Sequence, residues 1–382
     1  MPPPFIIVGS GLAGYSLARE LRKLDKSTPL VILSADDGRY YSKPMLSNAL
    51  TSGKTPAEIP ISDAAAMARQ LDAEVRTETR VTELDVDRRS LCIGNEMLEY
   101  RGLVLALGAD PIPIPVQGEA AASVQSVNDL ADYTRFRGSI SAARHVTIMG
   151  AGLIGCEFAN DLHSAGIEAE VIDPYSYPLG RLVPEPFGRD LQEGLARIGV
   201  RWHLGPVVYG VERSGGRLRV TLSDETRFET DAVLSAVGLR PRTALAARSG
   251  IKTARGIVVD RRLATSAAGV YALGDCMEIE GLVLPFVMPI MHAARALART
   301  LTGTPTDLSY PAMPILVKTT AHPVVVSPPA AGLAGVWEYE RESGGLAALF
   351  YSPDRQLQGF ALSGSAVARK NELVKSLPPV LP

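Results

Sequence analysis

Short, mostly apolar runs punctuate the first three-quarters of the chain. They are Phe5–Val8, Leu30–Leu33, Leu103–Leu107, Val146–Met149, Ala169–Ile172, Ala232–Val237 and Val270–Leu273. Each is bounded by glycine, proline or small polar residues, the pattern of strands buried on both faces. Helical stretches lie between them: Tyr15 to about Leu24, Asn128 to about Ser141, and Ile290 to Leu301. Val75–Leu84, which contains Val81, reads as a further strand, and Ser90–Glu99 as a hairpin. Two strands flank Ser214-Gly215-Gly216 between Val207 and Leu222. Strand and helix in alternation predict an α/β fold with parallel, helix-covered sheets. After Tyr310 the pattern changes. Ile315–Lys318, Val324–Val326, Leu346–Tyr351 and Gly359–Leu362 read as strands, and Ser365–Leu377 as a closing polar helix. That end reads as a small separate α+β unit.

Two of the apolar runs feed the same glycine-spaced turn. Phe5–Val8 runs into Gly9-Ser10-Gly11-Leu12-Ala13-Gly14, and Val146–Met149 into Gly150-Ala151-Gly152-Leu153-Ile154-Gly155. In each, the first glycine permits the turn, the second lets a phosphate approach the backbone, and the third lets the helix lie close on the strand. Free N–H groups at such a helix start suit a pyrophosphate. A third landmark also repeats. Leu103–Leu107 ends at Ala106 and Gly108, and Ala232–Val237 ends at Gly238. One turn alone is weak evidence; two, with the same landmarks in the same order, predict an internal duplication and two bound dinucleotides.

An acid at the end of the second strand of such a unit can hold the adenosine ribose. In the first unit the place falls on Ser34-Ala35-Asp36, with either Ser34 or Asp36 as the ribose contact. In the second it is Asp173, which favours NAD over NADP; Arg181 is the nearest downstream cation.

A formal net charge of −2 over 382 residues offers no general surface for nucleic acid. Three scattered cysteines (Cys92, Cys156 and Cys276) form no CxxC pair, which argues against a disulfide framework and for a reducing compartment. The five histidines show no metal-ligand spacing, so no metal site is expected. No run approaches the ~20 apolar residues of a spanning helix, and the first apolar run lacks a cationic leader. The expectation is a cytoplasmic enzyme without a membrane anchor.

Together these segments resemble the pyridine nucleotide-disulfide oxidoreductase superfamily of two-dinucleotide flavoproteins. Tyr271-Ala272-Leu273-Gly274-Asp275 is similar to its second FAD motif. The redox cysteine pair of its disulfide reductases is missing. In that place stands Tyr41-Ser42-Lys43-Pro44-Met45-Leu46-Ser47, which resembles the ferredoxin- and rubredoxin-reductase branch, and within it the rubredoxin reductases. Gly155–Leu162, Ala236–Thr243 and Val325–Pro329 carry the same likeness.

The resemblance implies FAD on the first turn and NADH on the second. It also implies two Rossmann-like three-layer domains: residues 1–112 with 241–309 for FAD, and 113–240 for NAD(H). Residues 310–382 form the small C-terminal domain. It places Ser10, Leu12 and Ala13 along the FAD pyrophosphate, Val81 near the adenine, Asp275 on the ribityl chain, and Val287 and Lys318 near the isoalloxazine. Lys43, beside Pro44, and Glu157 are expected to form an ion pair beside the flavin. The implied chemistry is hydride transfer from NADH to FAD, then single electrons to rubredoxin, a small acidic iron protein that docks transiently. An alkane hydroxylase is the expected consumer, with oxygen or peroxide detoxification as the other outlet. Alternatives are a [2Fe–2S] ferredoxin or flavorubredoxin as acceptor, or a flavin-based redox sensor. Arg39, Arg295, Arg299 and Lys318 are expected to steer an acidic partner. The expected assembly is a monomer or homodimer.

Overall fold

The computed structural model describes residues 3–382. In the first unit, β1 (Phe5–Val8) feeds α1 (Leu12–Leu24), followed by β2 (Leu30–Leu33), β3 (Glu74–Arg76) and β4 (Gly102–Leu105). β1 lies between β2 and β4, all parallel, with Ile7 opposite Ile32 on one side and Val104 on the other. Val270–Ala272 returns from far along the chain to pair in parallel with β4.

The second unit repeats the plan. It contains β5 (Val124–Ser126), α2 (Leu130–Ser139), β6 (His145–Met149), α3 (Leu153–Ser164), β7 (Glu168–Asp173), α4 (Glu185–Ala196), β8 (Arg201–Leu204) and β9 (Ala232–Ser235). β6 sits centrally, with Ile148 opposite Val171 and Leu234. The expected mixed α/β class, with parallel Rossmann-like sheets, is what the chain adopts. In both units the connection reverses direction at the central strand, β1 or β6, and the crevice at that switch point is where such sheets bind nucleotides.

A short antiparallel pair, Ala109–Pro111 with Leu239–Pro241, joins the two units. The chain then returns through β10 (the Val270–Ala272 strand) and α5 (Val287–Leu301) to β11 (Ile315–Val317), β12 (Val324–Ser327), β13 (Val336–Glu342), β14 (Gly345–Tyr351) and β15 (Leu357–Ser363). These last five form one antiparallel sheet in the order β11-β12-β15-β14-β13. Its strands alternate. Val324, Val326, Ala348 and Ala361 join a core shared with α3, α4 and Leu46, while Val325, Ala347, Phe360 and Leu362 pack under the closing segment. The C-terminal sheet is thus buried on both faces, one of them against the second unit.

Four local expectations change. The first helix begins at Leu12, not Tyr15, because the turn residues Leu12–Gly14 are already helical. Val75–Leu84 is not one strand. It forms β3, then a loop, then Glu83–Asp85 in a separate three-stranded sheet, so Val81 is buried in a loop. The closing helix is broken into 3-10 turns around four α-helical residues, Lys370–Leu373, starting from Gly364 at a φ of 53°. β13, a charge-rich edge strand, escaped the sequence reading.

Candidate functional site

The two glycine turns are built alike. Gly9 and Gly150 have φ of 117° and 108°, and a Cβ on either would strike a carbonyl oxygen, of Ala106 and Ala236 respectively. A Cβ on Gly14 or Gly155 would overlap the carbonyl oxygen of Gly9 or Gly150. These four glycines are required by the fold itself. Gly11 and Gly152 differ. A Cβ on either meets nothing within 4 Å. Both are helix N-caps in extended geometry without a side-chain cap, so the first N–H groups of α1 and α3 face open space. Polar donors without a protein partner, at a place kept clear of side chains, fit a pyrophosphate.

Around the first turn the expected residues converge. The Ser10 and Ser34 hydroxyls bond each other, and Ser34 bonds Asp36 Oδ1, which also accepts from Ser10 at 3.3 Å and from the Gly38 N–H at 3.0 Å. Ser34 and Asp36, the two alternatives for the ribose contact, stand in one cluster. Exposed Ala35 lies between them, and Gly108 follows the end of β4. Gly274 closes against Ala13, whose Cβ is 2.7 Å from where a Cβ on Gly274 would stand. Val287 opens α5 and is 37% exposed. At the second turn Asp173 receives the Ala151 N–H at 2.6 Å and the Tyr175 N–H at 2.8 Å. It therefore braces the turn from the end of β7. Leu153 and Ile154 sit on the open side, Ile154 44% exposed. Gly238 follows β9 as Gly108 follows β4. Arg181 is held by Tyr175, through a hydrogen bond of 3.2 Å and by lying over its ring.

The charged pairs differ from the expected Lys43–Glu157 contact. Lys43 and Pro44 open a 3-10 helix, Lys43–Ser47. The Lys43 ammonium donates to Asn128 Oδ1 at 2.7 Å and stands 3.8 Å from Asp275. Burial pulls the Lys43 ammonium below its ordinary value, with Asp275 opposing. Burial likewise pushes the Asp275 carboxyl up, against Lys43 and Arg242. Glu157 pairs instead with Lys318. Its Oε2 accepts from the Lys318 ammonium and from Ser47 Oγ at 2.6 Å, and its Oε1 from the Lys318 N–H at 3.1 Å. The cause is tertiary: Lys318, just beyond β11, brings both its donors to one buried carboxylate. Lys318 is therefore not a free steering cation. Arg39 is paired with Asp37, whereas Arg295 and Arg299 are exposed on α5.

The sequence reading also missed the rest of a polar stripe on α3. Glu157, Asn160, Asp161 and Ser164 fall on one face of the helix. Such a stripe normally meets water. Here Asp161 is fully buried and accepts the Leu50 and Thr51 N–H groups at 3.1 and 2.7 Å. Asn160 bonds Thr320 and the Ala321 N–H. One helix thus pins the Lys43 segment to the second unit and the C-terminal domain to both.

Two families match the chain: pyridine nucleotide-disulphide oxidoreductase over residues 3–299, and rubredoxin binding C-terminal domain over residues 307–377. A protein from Alcanivorax borkumensis named rubredoxin-NAD(+) reductase is 48% identical, over 99% of this chain and 100% of its own. Another of that name from Acinetobacter baylyi is 41% identical over 99% of each chain. The crystal structure of the ferredoxin reductase for the CYP199A2 system from Rhodopseudomonas palustris is similar at a TM-score of 0.87 and 26% identity, covering 98% of this chain and 95% of that one. Among the described residues, no helix is long and apolar enough to cross a membrane.

Proposed function

The chain belongs to the pyridine nucleotide-disulphide oxidoreductase family, and from that premise we propose that it is an FAD-dependent NADH:rubredoxin oxidoreductase. The observation that carries the reading is the pair of equivalent, uncapped glycine turns in a chain that ends in a rubredoxin-binding domain. FAD, when bound, takes up a hydride and releases electrons one at a time, which suits an NADH donor and a one-electron iron acceptor.

The chain's own residues bind, orient and hold charge. The N–H groups at the start of α1 would take the FAD pyrophosphate. The Ser10-Ser34-Asp36 cluster, whose bonds to Asp36 all use Oδ1, leaves Oδ2 for the adenosine ribose. Asp275, capped by Lys43, would receive the ribityl chain. Gly152 and Asp173 would do for NADH what Gly11 and Asp36 do for FAD, with Asp173 disfavouring a 2′-phosphate by like charge. Lys43 and Lys318 each bring a positive charge balanced by its own carboxylate, so reduced flavin would meet cations already neutralised at rest. Val81, Val287 and the remaining strand-end residues would line the cofactor.

The shared strands support domains at 1–112 with 241–309, 113–240, and 310–382. Rubredoxin would dock transiently on the C-terminal domain, where Leu316 of edge strand β11 is 62% exposed. Exposed Arg295 and Arg299 would favour an acidic partner. Supply of an alkane hydroxylase rests on the sequence resemblance alone.

The test is an anaerobic titration of the yellow holoprotein. One equivalent of NADH should bleach the flavin band, and two equivalents of oxidised rubredoxin should restore it. Bleaching without recovery by rubredoxin would refute the acceptor.

A further inference from the structure

Asn128 has no role in the function described so far, yet its side chain is clamped at both ends. It is buried, just before α2. Its Nδ2 donates to the Ala109 carbonyl at 2.9 Å, and its Oδ1 accepts from the Lys43 ammonium at 2.7 Å. Which end is oxygen and which nitrogen follows from the neighbours: a carbonyl can only accept and an ammonium can only donate. The backbone is fixed too. The Asn128 N–H reaches Asp132 Oδ2 at 3.0 Å, while Asp129 Oδ1 accepts the Asp132 N–H at 2.8 Å. Two residues beyond Asn128, the Leu130 N–H donates to the Tyr41 hydroxyl at 3.0 Å, tying the start of α2 to the Lys43 segment a second time.

We propose that Asn128 is the positioning residue for Lys43, holding its ammonium by an amide oxygen that the surrounding backbone has oriented, and so setting where that charge stands against bound FAD. The inference rests on the function proposed above, in which Lys43 lies beside FAD. The chemistry explains why an amide stands there. Aspartate would set an oxygen against the Ala109 carbonyl and would add a second negative charge to the one Asp275 already supplies. Alanine would leave Lys43 with Asp275 alone, at 3.8 Å. A neutral acceptor fixes the ammonium without cancelling its charge. Its effect would be felt most when negative charge builds up on the cofactor.

The test is the two-electron midpoint potential of the FAD-loaded protein, measured by dye equilibration for wild type, Asn128→Asp, Asn128→Ala and Lys43→Met. The visible flavin spectrum and thermal melting establish that each variant is loaded and folded. Asn128→Asp should disfavour reduced flavin about tenfold, a downward shift of about 30 mV for two electrons. Asn128→Ala should slow flavin reduction by NADH about tenfold and change its pH profile, and should add nothing in a Lys43→Met background. If Lys43→Met moves the potential while both Asn128 variants leave potential and pH profile unchanged, Asn128 is only structural and the proposal fails. If Lys43→Met itself leaves the potential unmoved, the placing of Lys43 beside FAD fails, and the proposal with it. Should Asn128→Asp not fold, the Asn128→Ala rate and pH profile decide alone.

Discussion

Replacing Gly152 by alanine separates what the fold needs from what a dinucleotide needs. Gly152 has φ −75° and ψ −170°, geometry that any residue adopts, and its added Cβ meets no protein atom within 4 Å. The gain from a stiffer unfolded chain, about 0.4–1 kcal/mol, is offset by the preference for glycine over alanine at an N-cap, of order 0.5–1 kcal/mol. The apoprotein should melt at nearly the wild-type temperature. The methyl would nonetheless occupy the space in front of the α3 N–H groups. A phosphate bonded to those groups would have to retreat and lose one or two charge-assisted hydrogen bonds, each worth roughly 1.5–3 kcal/mol. NADH affinity should therefore fall at least tenfold, read from the concentration dependence of flavin reduction in rapid mixing. Gly155→Ala is the contrast. Its Cβ overlaps the Gly150 carbonyl oxygen, so α3 must shift, at a cost of roughly 1–3 kcal/mol. The reasoning is refuted if Gly152→Ala melts as early as Gly155→Ala, or if it binds NADH as tightly as wild type.

Three further outcomes are expected. Lys318→Met leaves the buried Glu157 carboxylate with only the Ser47 hydroxyl and a backbone N–H, and should cost about 2–3 kcal/mol, less than the 3–5 of a fully orphaned partner; Lys318→Met with Glu157→Gln should recover most of it, as a double-mutant cycle of melts would show. Burial alone would raise the Glu170 carboxyl, but His145 and His203, at 2.8 and 2.6 Å, outweigh it and hold it at about 2. Its folded value is depressed, so its contribution is complete above the unfolded value near 4.5 and disappears as pH falls towards 2, about 2–3 kcal/mol in all; Glu170→Gln should flatten that limb of an acid-unfolding curve. Asp173→Asn should weaken NADH binding and narrow the preference for NADH over NADPH, measured as the ratio of the two kcat/KM values; an unchanged ratio would remove Asp173 from cofactor choice.

What could be read in the chain was local. Gly9, Gly11, Gly14 and their counterparts Gly150, Gly152 and Gly155 have one steric role each, and that role follows from spacing along a strand, turn and helix. The buried strands were visible as apolar runs for the same reason. The pairing of charges was not visible, because it depends on which distant segments meet. Glu157 and Lys318 lie on α3 and just beyond β11 and meet only when the C-terminal sheet packs on the second unit. The stripe of Glu157, Asn160 and Asp161 would ordinarily mark a solvated helix face; nothing local says that Leu50, Thr51 and Ala321 will bring donors to it. Asn128 looked like a helix start because it lies just before one. Its side chain acquires a function only through Lys43, which arrives from the other unit. Val81 shows the same limit from the apolar side, since burial in a loop leaves no periodic trace.

Electrons are expected to leave for a rubredoxin. The direct measurement is NADH-dependent reduction of purified rubredoxin by the holoprotein, beside a [2Fe–2S] ferredoxin at equal concentration, each followed at its own absorption band. Fast rubredoxin reduction and little ferredoxin reduction are expected. Preferential reduction of the ferredoxin would contradict this, leaving the two dinucleotide sites in place with the wrong acceptor.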